Sequence, residues 1–114
     1  MPLLKIQTNE AIDADKQRTL AGKASQQVAD LLGKPERYVM VSIEHNPAML
    51  FGGSDEPLAY LELKSIGLPE SKTAELSQGL AGLLNEELGL PADRIYIEFA
   101  DAPRAMWGWN GGTF

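Results

Sequence analysis

Two stretches of this chain read alike: GKPERYVMVSIEHNP from Gly33 to Pro47, and GLPADRIYIEFADAP from Gly89 to Pro103. Their glycines are offset by 56 residues, close to half of the 114-residue length. The offset extends backwards, since Leu32 matches Leu88 and Leu20 matches Leu76. A chain that repeats one supersecondary unit has few folds open to it, because each copy must offer equivalent faces to a core.

Each unit begins with a strand pattern. Leu3 to Thr8 is short and mixed, while Leu58 to Ile66 alternates, with Ala59, Leu61, Leu63 and Ser65 on one side. Each continues into a helix. Leu20, Ala24, Val28, Leu31 and Leu32 form one apolar stripe, and Leu76, Leu80, Leu83, Leu84 and Leu88 form the other. Asp13 is placed to cap the first helix. Gly33 and Gly89 stand where a left-handed residue ends a helix, each with a proline two residues on. A second strand closes each unit, over Tyr38 to His45 and Ile95 to Ala100. The expected fold is α+β: two β-α-β units forming a four-stranded mixed sheet, with right-handed crossovers placing both helices on one face. The whole of 1–114 is expected to be a single domain.

The other sheet face is harder to cover. If Val39, Val41, Ile43, Ile95, Ile97 and Phe99 point at the helices, Met40, Tyr60 and Tyr96 lie opposite, among Ser42, Glu44, Glu62, Lys64 and Glu98. No third layer is left in the chain, so this face is expected to bury itself against another subunit.

Composition removes several classes of function. There is no cysteine, which excludes disulfides and thiolate metal sites, and a single histidine, His45, argues against a histidine-built metal site. A net charge of -6 argues against nucleic acid and against an anionic membrane surface as partners. No apolar run is long enough to span a membrane, and no secretory leader is visible, so the expected location is the cytoplasm.

Few residues outside the repeat carry chemistry. Pro2 directly precedes the first strand, where a missing N–H is tolerated; with Met1 removed it would also carry a free secondary amine. The insertion NPAMLFGGSDEP holds Gly52 and Gly53, which suit a turn better than a phosphate cradle, since no lysine or helix follows. Lys34 has no counterpart in the repeat, where Leu90 stands; it is either a helix-end cation or a point charge for an anionic ligand. His45 reads as a surface residue. The tail MWGWNGGTF carries both tryptophans, and its aromatics either cover the core, line a pocket or dock on a neighbour. No Ser-His-Asp set and no dinucleotide fingerprint is present.

Taken together, several segments resemble the macrophage migration inhibitory factor family of the tautomerase superfamily. They are Met1-Pro2, Thr8-Asn9, Gly33-Lys34-Pro35 with Tyr38, MLFGGSDEP, Lys64-Ser65-Ile66-Gly67, DRIYIEF and GWNGGTF. The resemblance covers essentially the whole length. It implies a cofactor-independent keto–enol tautomerase acting on phenylpyruvate-like 2-keto acids, as a homotrimer with active sites between subunits. On this resemblance Pro2 is the catalytic base, Lys34 binds the substrate carboxylate, and Ile66 offers its backbone N–H. Tyr96 from a neighbouring subunit and Trp109 border the pocket, with Tyr38, Trp107 and Phe114 as further wall positions. Glu98 takes the place of an asparagine at the far end of the pocket, where it would repel an anionic substrate group. Leu58-Ala59-Tyr60-Leu61 stands where the cytokine of the family has a Cys-x-x-Cys pair, so thiol oxidoreductase chemistry is ruled out. The competing reading is a signalling protein with a vestigial pocket and a protein receptor as partner. A third, hydration or dehalogenation, calls for pocket arginines, for which Arg37, Arg94 and Arg104 are the candidates.

Overall fold

The computed structural model describes residues 1–114. Strands β1 (Leu3–Thr8), β2 (Met40–His45), β3 (Ala59–Ile66) and β4 (Ile95–Ala102) form one sheet in the order β2-β1-β3-β4. Helix α1 (Ala14–Leu32) links β1 to β2, and α2 (Thr73–Leu88) links β3 to β4. Within each unit the two strands are parallel, and the units meet along an antiparallel β1–β3 pairing. The sheet is therefore mixed, as the repeat requires.

Local chemistry explains the boundaries. The Asp13 carboxylate accepts from the Lys16 backbone N–H at 2.8 Å, satisfying a donor that the first turn of α1 leaves free. Gly33 and Gly89 both adopt left-handed backbone, at φ 64° and 69°, and return their N–H groups to carbonyls of the preceding turn. Pro35 and Pro91 then each start a single 3-10 turn, Glu36–Tyr38 and Ala92–Arg94, so the repeat extends to the connections.

Those turns correct one expected boundary. The sequence pattern predicts the second strand from Tyr38, but β2 begins at Met40. The Tyr38 N–H is donated back to the Pro35 carbonyl at 3.1 Å, which takes it out of the sheet ladder and frees its ring to point elsewhere. In the second unit the strand runs to Ala102, beyond the expected Ala100.

Fifteen buried residues from both units form one contiguous cluster, including Leu4 and Ile6 of β1, Leu61 and Leu63 of β3, and the stripes of both helices. Neither unit has a core of its own. The edge strands are less protected: Val41, Ile43, Ile97 and Phe99 pack against the cluster but stay partly exposed, because two helices do not cover four strands. The opposite face is open. Across it the register aligns Glu44, Gln7, Tyr60 and Tyr96 in one row, and Ser42, Lys5, Glu62 and Glu98 in the next.

The Asn46–Pro57 insertion is a turn closed by paired hydrogen bonds between Phe51 and Ser54, with Gly52 and Gly53 at positive φ. It is held by Arg94, the last residue of the 3-10 turn before β4, whose guanidinium donates to the carbonyls of Phe51, Ser54, Glu56 and Pro57 at 3.0–3.1 Å. Asn9 grips the same segment from the other side, donating to Asp55 O and accepting from Leu58 N.

Candidate active site

The residue that starts β1 is held in the sheet. Pro2 is fully buried, and its carbonyl accepts from the Met40 N–H at 3.0 Å, so the chain start is tied to β2. Beside it lies a cleft of about 410 Å³, bordered by the starts of β1 and β2 and by the C-terminal tail. The tail folds into a small hairpin, Gly108–Trp109 with Gly112–Thr113, turned by Asn110 and Gly111. Both turn residues have positive φ, 52° and 77°, which is the conformation asparagine and glycine tolerate best in two-residue hairpin loops.

The hairpin brings its aromatics onto Tyr38. The Trp109 and Phe114 rings stack 5.1 Å apart, and Tyr38 stands edge-on to both, at 5.4 and 5.7 Å. With Trp107 they make an apolar wall facing Pro2. Of the three fates open to the tail aromatics, lining a pocket is the one they adopt.

The charge at this end of the cleft is positive. Partial burial holds the terminal amine, here on Met1, below its ordinary range, and the cations of Lys34 and Arg104 lower it further. Lys34 follows the left-handed Gly33, and its N–H returns to the Ala29 carbonyl at 3.0 Å, which anchors the base of its side chain at the helix end. Arg37 also borders the cleft, with its guanidinium 4.8 Å from the Tyr38 ring centroid.

The sequence-derived site residues thus fall into two groups. Pro2, Tyr38, Trp107, Trp109 and Phe114 line one cleft, with Lys34 close enough to act on the amine there. Tyr96, Glu98 and Ile66 do not line it. Tyr96 packs on Phe51 at 4.6 Å and borders a separate hollow of about 330 Å³ with Met49, Leu50 and Tyr60. Glu98 lies on the open sheet face opposite Glu62. There burial, a hydrogen bond to Glu62 and the carboxylates of Glu62 and Glu98 keep the Tyr60 phenol protonated above its usual range. Ile66 is buried at the end of β3, opposite Ala102.

The three arginines left unplaced by sequence are now distinct. Arg94 serves the insertion turn, Arg37 the aromatic wall, and Arg104 the amine. Nothing in the repeat pattern separates them, since each role depends on a partner far away in sequence.

The sequence model of the macrophage migration inhibitory factor family matches residues 1–114. The chain belongs to this family. A macrophage migration inhibitory factor homolog of Brugia malayi is 42% identical over 115 residues, covering 100% of this chain and 99% of that one. The macrophage migration inhibitory factor of Xenopus laevis is 37% identical, with the same coverage. Among solved structures, the homologue from Prochlorococcus marinus superposes with a TM-score of 0.92 at 48% identity, covering 98% of both chains. The Toxoplasma gondii protein gives 0.93 at 34%, covering 98% of this chain and 99% of its own. As a member of the family, this chain folds its FGGSDEP stretch as the turn that Arg94 holds, and its GWNGGTF tail as the hairpin that walls the cleft.

Proposed function

We propose that this family member is a cofactor-independent keto–enol tautomerase of phenylpyruvate-like 2-keto acids, with Pro2 as the general base once Met1 is removed. The observation that carries the reading is the pairing of a desolvated, cation-flanked amine with an apolar aromatic cleft. Removing Met1 moves the amine one residue inward, onto Pro2, whose ring is buried at the start of β1. A secondary amine is intrinsically more basic than a primary one, and this environment brings it toward neutrality, where a base works best.

In the keto-to-enol direction the Pro2 nitrogen takes the C3 proton, the released electron pair forms the C2=C3 bond, and the carbonyl oxygen takes a proton from water. Charge builds on that oxygen in the transition state, and a nearby cation stabilises it. Lys34 is assigned to the substrate carboxylate, Ile66 to a backbone N–H contact, and Trp107, Trp109, Tyr38 and Phe114 to the ring-binding wall. Tyr96 and Glu98 are assigned to the pocket of an adjacent copy in a homotrimer. Two observations support that assignment: Tyr96 and Met40 are each 66% exposed, and the open sheet face has no cover within the chain.

The enol-to-keto conversion of phenylpyruvate, followed on protein shown by intact mass to lack Met1, tests the activity. Lys34→Ala is expected to raise KM more than it lowers kcat, about tenfold for loss of one charge-assisted contact. A fall in kcat at constant KM would reassign Lys34 to the enolate. Sedimentation equilibrium is expected to give three times the 12.4 kDa chain mass, and a monomer at micromolar concentration would remove the shared site.

A further inference from the structure

The chain has four asparagines, and three of them are tied down. Asn9 donates to the Asp55 carbonyl and accepts from the Leu58 N–H. The Asn46 side chain accepts from the Ala48 N–H, and Asn85 donates to the Leu90 carbonyl, both at 3.0 Å. Asn110 differs: it is exposed, and its side-chain amide is in no hydrogen bond. The residue that follows differs too. Asn9 and Asn85 precede glutamates, the latter inside α2, and Asn46 precedes a proline, which has no N–H. Asn110 precedes Gly111, whose N–H donates to no carbonyl. The space beside Gly111 is empty as well, since a Cβ there would meet nothing within 4 Å.

An amide carbon next to a free, unhindered backbone nitrogen is a reactive pair, and the hairpin around it holds weakly. Only two residue pairs close it, Gly108 with Thr113 and Trp109 with Gly112. So short a ladder opens locally at little cost, which lets Asn110 leave its left-handed conformation and bring the two atoms together. The same turn carries the cleft wall: it sets Trp109 against Phe114, and both against Tyr38.

We propose that Asn110-Gly111 is a modification site: the chain deamidates there without an enzyme, chiefly to isoaspartate, and the aromatic wall of the cleft comes apart as it does. The Gly111 nitrogen gives its proton to solvent and bonds to Asn110 Cγ, ammonia leaves, and a five-membered succinimide forms. Water then opens the ring. Breaking the new bond to Cγ gives aspartate; breaking the original peptide bond gives isoaspartate, with the chain running through the side chain. Nothing is oxidised or reduced. Isoaspartate adds one atom to the main chain of a two-residue turn that accepts few conformations. The Trp109–Gly112 register then fails, and Phe114 loses its stack on Trp109. The reaction stands apart from the tautomerase reading; only a turnover readout depends on it.

The test incubates the Met1-free protein in mildly alkaline buffer at physiological temperature, beside the same chain unfolded in urea. Peptide mass mapping and isoaspartyl methyltransferase labelling follow all four asparagines. Asn110 is expected to convert in the folded protein within about tenfold of its rate in the unfolded chain, while the other three stay amides. Near-UV circular dichroism of the aromatic cluster should fall in proportion to the isoaspartate formed. The KM for phenylpyruvate enol should rise about tenfold in the converted fraction, as aromatic contacts of the wall are lost. Asn110→Gly keeps a turn that tolerates positive φ and should hold its near-UV signal through the same incubation. Asn110→Asp separates added charge from added chain length, and should keep the signal that isoaspartate loses. Conversion in urea but not in the folded protein overturns the site, by showing that the turn shields Asn110. Isoaspartate at Asn110 with an unchanged near-UV signal overturns its effect on the wall. If fresh protein turns over no enol, the tautomerase reading fails, and mass and near-UV signal still decide this proposal.

Discussion

Pro2→Ala is expected to lower kcat/KM for phenylpyruvate by about 10²–10⁴, the range attributed to one positioned acid–base group. The variant keeps an N-terminal amine, but a primary one on a backbone that rotates more freely. The fold should survive, because the carbonyl that accepts from Met40 belongs to the backbone and remains. Retention of Met1 should cost at least as much, since the proline nitrogen is then an amide. The pH profile provides a separate check with a definite sign. The base works deprotonated, and burial together with the Lys34 and Arg104 cations lowers the pKa of an amine at this terminus. The ascending limb of kcat/KM should therefore lie at lower pH than a free prolyl amine would give. Replacing Arg104 by Gln removes one of those cations and should move the limb upward. A limb that stays fixed in that variant would mean the titrating group lies elsewhere. Full activity in protein that quantitatively retains Met1 would end the proline-base mechanism and bring the receptor-binding reading forward.

Leu61→Ala is expected to cause the largest loss of stability, about 2–5 kcal/mol, as fully buried leucines do when a cavity replaces them. Leu61 has no exposed surface and sits in β3, a central strand flanked by β1 and β4, within the one core that both units share. Neighbours on two strands and two helices cannot collapse into the gap without breaking pairing elsewhere. Leu50→Ala offers the contrast. That side chain is 69% exposed on the insertion turn, so truncation should alter the stability of an isolated chain by less than about 0.5 kcal/mol. If the turn meets another copy, the Leu50 variant should instead melt lower only at low protein concentration, where mass action no longer holds the assembly. Urea titrations of both variants at two concentrations separate the cases. Equal losses at every concentration would show that Leu50 contributes within the chain after all.

The β-α-β repeat, both helix stripes, the Asp13 cap and the left-handed glycines were all legible from sequence. Each is a local matter: side-chain period, a capping carboxylate, or a backbone angle that glycine adopts freely. The inward row of β3 was likewise readable, because a two-residue period leaves only one way to bury Leu61 and Leu63. β2 starts two residues later than the strand pattern predicts, since Pro35 draws the Tyr38 N–H into a turn that strand propensity does not register.

The cleft itself was not open to such reading. Without a family resemblance, nothing local connects Pro2 with Tyr38 and Trp109, which become neighbours only when β1 pairs with β2 and the tail folds back over both. The three arginines make the same point. As sequence they are equivalent cations, and what each does depends on what stands opposite it: four carbonyls for Arg94, an aromatic ring for Arg37, an amine for Arg104. The repeated unit, its elements and the side each element buries are written in the order of residues, because they follow from interactions along a few consecutive positions. Where charge and aromatic surface meet emerges on folding, because Coulomb and packing energies depend on distance in space and are blind to distance along the chain.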